Sequence, residues 1–208
     1  MSLENLPVTP EEVCSRAAVL VGLEPITSFN DTDRDEVVAA ATLYETVVAN
    51  CLTAYPWRFA SGEMILERAT DDPLDRYENA WHYPQLDNGR ALQLEMICQN
   101  DLPIRYDIVK NLIYSSADGD TDTVAHYQYR VEEAYWLPQF TLYVIYEMAA
   151  TFADSITRNA KQISAFQQKA EVQFRRAKTR DAQSKTPKRT RNTGLRRRYG
   201  RLPGNYAV

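Results

Sequence analysis

The 208-residue sequence predicts an α+β fold, mainly helical, in which a four-helix body carries a small antiparallel β insertion between its helix pairs and an extended basic tail at its C-terminal end. Three observations predict it. Apolar residues recur at helical spacing before Pro56 and after Pro138, the apolar period falls to two between Phe59 and Val131, and periodicity stops near Ser184. The helical body is therefore expected over 9–57 and 138–184, the β insertion over 58–137 and the basic arm over 185–208.

The first helix is marked at both ends. Thr9-Pro10-Glu11-Glu12 offers an N-cap, a proline at the first helical position and a capping-box glutamate, and Gly22 supplies a stop. Asp33-Arg34-Asp35-Glu36 opens a second helix in the same way, and Val37, Ala41, Tyr44, Val48, Cys51 and Tyr55 form one apolar stripe along it. Pro56 ends that helix, because it disfavours helical geometry at Tyr55 and lacks an N–H. The alternation of Leu92, Leu94, Met96 and Cys98, of Ile104, Tyr106 and Ile108, and of Ala125, Tyr127, Tyr129 and Val131 reads as strands with one buried face. Breakers at Asp72-Pro73, Asp87-Asn88-Gly89, Asn100-Asp101 and Asp118-Gly119-Asp120 divide this stretch into about five strands of one small sheet. Helical spacing returns with Thr141, Ile145, Ala149, Phe152 and Ile156, then with Ile163, Phe166, Ala170, Phe174 and Ala177. The last 24 residues, rich in Arg, Pro and Gly, read as a tail without a core of its own.

Composition narrows the function. With 44% apolar and 25% charged residues the chain falls in the soluble globular range, and its longest apolar run, Ala17 to Leu23, is too short to cross a bilayer. The start of the chain carries neither a basic segment nor an apolar one of the kind that directs secretion, so synthesis in the cytoplasm is expected. Cys14, Cys51 and Cys98 have no metal-site spacing and read as buried thiols, and only His82 and His126 are available to a hydrolytic triad. Phosphate-binding loops, dinucleotide fingerprints and nucleophile elbows do not occur in the sequence, so no cofactor is expected. Asp118, Asp120 and Asp122 imitate the start of a calcium loop, but Thr123 and Tyr129 stand where glycine and a bidentate glutamate belong, so the reading is a solvated loop tip. Glu132 and Glu133 read as an exposed turn, and Trp57 with Phe59 as aromatic plugs of the core.

Charge is the most informative quantity. Residues 1–157 hold 9 Lys and Arg against 26 Asp and Glu, a balance of -17, whereas residues 158–208 hold 15 against 2, a balance of +13; together they give the formal net charge of -4. Such asymmetry directs the basic end to an acidic partner. The arm has six Arg for two Lys, and Leu195, Tyr199, Leu202 and Tyr206 punctuate its charges with apolar anchors.

Several stretches, in order, resemble the head-to-tail adaptor proteins of short-tailed phages, the tail tubular protein A family. They are Ala18-Val-Leu-Val-Gly-Leu-Glu-Pro-Ile26 with Ser28, then Leu43-Tyr44, and Leu52-Thr-Ala-Tyr55-Pro56-Trp57-Arg-Phe59-Ala60. Tyr127-Gln-Tyr129-Arg130-Val131, Trp136-Leu-Pro138-Gln-Phe140, Ala153-Asp-Ser-Ile156-Thr157 and Arg180-Asp181-Ala182 follow, so the likeness covers about residues 12–183. Tyr83-Pro84-Gln-Leu-Asp87 departs from the Leu-Pro-x-Asp-Cys common in that family. The resemblance implies a non-enzymatic virion protein at the head-tail junction: a ring of copies, usually twelve, between portal protein and tail nozzle protein, through which genomic DNA passes without sequence-specific binding. On that reading Arg189, Arg191, Leu195, Arg196, Arg197, Arg198, Tyr199, Arg201, Leu202 and Tyr206 form a portal-docking arm, and the loop at Asp118, Asp120 and Asp122 faces the nozzle. Two other classes compete with it. One is a nucleic-acid-binding protein whose arm grips phosphates, with a base stacked on Tyr199, and the other is a carbohydrate-active tail enzyme using an Asp/Glu pair.

Overall fold

Thr9 caps the first helix as its sequence requires, its hydroxyl oxygen accepting the Glu12 N–H at 3.2 Å. The computed structural model describes residues 9–70, 76–87 and 89–184. Helix α1 is Pro10–Val21, and Gly22, at φ 90°, ends it in the left-handed conformation that glycine adopts without strain. Helix α2, Asp35–Thr53, is followed by a 3-10 turn at Arg58–Ala60. Nine strands come next among the described residues: β1 Ser61–Ile65, β2 Asn79–His82, β3 Gln85–Leu86, β4 Gly89–Arg90, β5 Gln93–Gln99, β6 Leu102–Ile104, β7 Asp107–Val109, β8 Leu112–Ser115 and β9 Val124–Gln128. Helix α3, Pro138–Phe152, runs into a π-helical turn at Ala153–Thr157, and α4, Ala160–Gln183, is the longest helix described.

The expected four-helix body with one small β insertion does not form. The strands make three antiparallel sheets, in the orders β1-β9-β5-β6, β2-β8-β7 and β3-β4, rather than one. They have apolar clusters of their own, one around Trp81, Ile97, Ile113 and Ala125 and one around Ala80 and Tyr114. The helices are not two pairs either, since α3 is the shared element against which α1, α2 and α4 each pack. Part of the helical core comes from outside the helices, because Trp57, Ala60, Val131 and Trp136 at the crossings to and from the sheets are buried in it.

Tight turns account for the additional strands. Asn100 and Asp101 both have positive φ, 49° and 63°, and close a two-residue hairpin between β5 and β6. Lys110, at φ 57°, helps turn β7 into β8 at a place that no glycine or proline marks. A bulge between Leu94 and Met96 in β5 breaks the expected alternation: Ile97 is buried, and Met96 is 42% exposed. In β1, Gly62 lies opposite Tyr127, whose ring would stand 2.8 Å from a Cβ at that position, so any larger residue there forces the ring to move. Along α2 the buried stripe uses Ala40 rather than Ala41.

Candidate interaction surfaces

The loop at 116–123 is organised by its own side chains. Asp118 accepts the Asp120 N–H at 3.1 Å and the Thr121 hydroxyl at 2.7 Å, which lowers its pKa from the ordinary carboxylate value. From β5, Gln99 Nε2 donates to the Asp118 carbonyl at 2.6 Å, the Thr121 carbonyl at 3.1 Å and the Thr123 hydroxyl at 2.8 Å. Arg68 Nη1 lies 3.9 Å from Asp120, and Asn79 Nδ2 donates to the Ala117 carbonyl at 2.8 Å. Asp118, Asp120 and Asp122 are all exposed, so the loop is a pre-shaped acidic tip with its carboxylates facing solvent. Among the described residues no three His, Cys, Asp or Glu side chains are grouped to hold a metal ion. Cys14 and Cys51 are buried, and burial raises both thiol pKa values, which disfavours the nucleophilic thiolate.

The arm residues Arg189, Arg191, Leu195, Arg196, Arg197, Arg198, Tyr199, Arg201, Leu202 and Tyr206 lie outside the described residues. The basic character expected at the C-terminal end is already present on α4. Lys169, Arg175, Arg176 and Arg180 are exposed, and Arg175 Nε donates to Glu171 at 2.7 Å. A groove of about 370 Å³ runs between Gln139 of α3 and Arg175, Arg176 and Arg180 of α4. On another flank, between α1 and α3, Val19, Leu20, Leu142 and Tyr146 line an apolar groove of about 490 Å³. No described helix is long and apolar enough to cross a membrane.

Two buried carboxylates hold these surfaces to one frame. Glu133 is 7% exposed, not part of an exposed turn as its sequence context suggests. It accepts the Tyr44 hydroxyl of α2 at 2.8 Å and the guanidinium of Arg130, whose Nε and Nη2 also donate to Glu45 at 2.9 and 3.1 Å. Burial opposes the Arg130 charge, but the two carboxylates outweigh it and hold the guanidinium pKa above its ordinary value. Burial also raises the Tyr44 pKa, and Glu133 adds to the effect. Asp181, 1% exposed in the last turn of α4, accepts the Arg58 N–H at 3.2 and 3.3 Å and so ties that helix to the start of the sheets. Burial raises its pKa, and the N–H groups of Arg58 and Phe59 act in the opposite direction. Asp181 was legible as an acid on the apolar stripe Ala170, Phe174 and Ala177, one turn further on; Glu133 gave no comparable signal.

No protein-family model matches the chain, and no curated protein matches it.

Proposed function

We propose that the chain is a structural head-to-tail adaptor of a short-tailed phage, joining the portal protein to the tail nozzle protein at the head-tail junction of the virion. Copies form a ring through which genomic DNA passes without sequence-specific binding. The observation that carries the reading is the charge division of the chain, -17 over residues 1–157 and +13 over residues 158–208, in a sequence whose ordered motifs resemble the adaptors. An acidic body repels phosphates and lets DNA slide past without retaining it, while a basic end directs docking to an acidic protein surface. The preference for Arg in the arm suits bidentate carboxylate contacts, and the apolar residues between the charges anchor it to protein. The exposed acidic tip at Asp118, Asp120 and Asp122 is the nozzle-facing loop on this reading.

Deleting residues 185–208 tests the assignment of the arm. The truncated chain is expected to fold and to lose co-sedimentation with portal rings that the full chain retains. The same charge run favours nucleic-acid binding as the second reading. If the arm grips duplex DNA with all eight of its basic groups, affinity falls with salt at a log-log slope of about -7. A truncated chain that still joins portals, together with that slope in the full chain, would replace the adaptor reading with the nucleic-acid one.

A further inference from the structure

Two helices carry outward faces that each present an exposed valine and that oppose in charge. On α2, Val38 is 46% exposed and Asp35 lies three residues before it, with Asp31 and Asp33 in the loop leading in. On α4, Val172 is 47% exposed, Arg175 and Arg176 follow it by three and four residues, and Arg180 by eight. Residues three and four apart share a helix face, so each valine sits on the same face as its charges. At 1.5 Å per residue the first charge lies about 5 Å along the axis from the valine on both helices.

Most of these charges are available to a partner. Arg34, beside the acids of α2, is engaged by Glu36 and by Glu24 at 3.6 Å. Among the described residues no cation lies within 4.0 Å of the carboxylates of Asp31, Asp33 or Asp35, although the Arg34 charge also acts on Asp31. Arg175 is held by Glu171, Arg176 has no partner among the described residues, and Arg180 has only the amide oxygen of Gln183 at 3.4 Å.

We propose that the acidic face of α2 in one copy docks on the basic face of α4 in a second copy, with the two helices antiparallel and Val38 set against Val172. The direction follows from chain order. The acids lie toward the N-terminus from Val38 and the arginines toward the C-terminus from Val172, so only an antiparallel crossing brings Asp35 to Arg175 and Arg176, and the Asp31–Asp33 loop toward Arg180. The helix dipoles then oppose as well. Because the two faces differ, the contact is head to tail and repeats from copy to copy, giving a ring when the rotation closes and a filament when it does not. The inference deepens the proposed ring and rests on that reading for its partner, while the faces themselves are set by this chain's residues.

The test uses the full chain as Val38→Cys and Val172→Cys variants, mixed at high concentration in low salt and oxidised mildly; the native thiols are buried. The expected product is the mixed 38–172 dimer, in excess over both same-site dimers. Arg175→Glu with Arg176→Glu on the Val172→Cys chain should lower its yield at least tenfold, and Asp33→Lys with Asp35→Lys on the Val38→Cys chain should restore it. Melting curves like the parent's confirm that each variant folds. A mixed product no more abundant than random collision gives, a yield indifferent to charge reversal, or loss of the product to an equimolar short DNA duplex would overturn the proposal; the last outcome makes nucleic-acid phosphate the occupant of α4. An added ring on portals without the 38–172 product refutes this contact alone, and the product without any such ring refutes the adaptor reading alone.

Discussion

In the helical layer one continuous apolar core runs from Val13 in α1 to Ala177 in α4, whereas the strands bury their side chains in separate, smaller groups around Trp81 and Tyr114. A defect in the first region therefore reaches every helix through α3, while a defect among the strands is felt in the smaller cluster it belongs to, of which the one around Trp81 joins two sheets. The two regions meet at Tyr129, which packs against both, and at the crossings the helical core is closed by Trp57, which meets Phe140 edge to face at 5.0 Å, and by the Trp57 and Trp136 indole N–H groups, which donate to the Cys51 and Val131 carbonyls at 2.9 and 3.0 Å. Buried Glu133 and Asp181 fasten the crossings, and among the strands Asn79, Ser115, Thr123 and Gln128 are buried with hydrogen bonds of their own.

The largest expected effect follows from placing a charge in the continuous core. Val48 and Phe152 are fully buried, so Val48→Asp or Phe152→Asp should abolish soluble folding, because an unpaired buried charge costs several kcal/mol against a total stability of about 5–15 kcal/mol. Melting like the parent's in either variant would contradict the packing of α2 and α3. Ile113→Ala, in the strand cluster, should cost about 2–4 kcal/mol by cavity formation and leave a folded chain, as denaturant unfolding would report.

At the crossing, Glu133→Ala strands the Tyr44 hydroxyl and removes one of the two carboxylates of Arg130. The expected loss is about 3 kcal/mol, at the low end for a broken buried pair because Glu45 still holds the guanidinium. Chemical denaturation of the Ala and Gln variants checks it, with Gln the milder. A smaller effect belongs to Asp181. Its folded pKa lies above its unfolded one, so the folded state binds more protons, and this contribution to stability is present at low pH and lost as pH rises through the folded pKa. Glu147, raised by burial and by Glu171, acts in the same direction. Asp181→Asn should flatten that part of the stability profile, whereas Asp181→Ala, which leaves the Arg58 N–H without its acceptor, should cost about 1–3 kcal/mol at neutral pH. The smallest effect is at the acidic tip, where Asp118, Asp120 and Asp122 replaced together by Ser should change stability by no more than about 0.5 kcal/mol in thermal melts, with calcium making no difference.

The same contrast decided what could be read from the sequence. Thr9, Pro10 and Gly22 bound α1 where their chemistry demands, and the stripes of α3 and α4 face the core as their spacing implies, with Ile156, Ile163 and Phe174 half-buried, because a helix face depends on neighbours three and four residues away. The sheets were misread as one small insertion. Bulging at Glu95 reverses which of Met96 and Ile97 points inward, and Lys110 turns the chain without a glycine, so alternation alone could not count the strands. Of the site, the acidic loop was visible as a run of aspartates, but its bracing by Gln99 and Asn79 depends on partners 19 and 38 residues away. The buried role of Glu133 rests on Tyr44, 89 residues earlier, which no local pattern encodes.

Electron microscopy of the full chain mixed with portal rings tests the proposed adaptor most directly. The account predicts a discrete additional ring at one end of the portal, present with the full chain and absent after deletion of residues 185–208. Portals left bare while the full chain coats duplex DNA would contradict it.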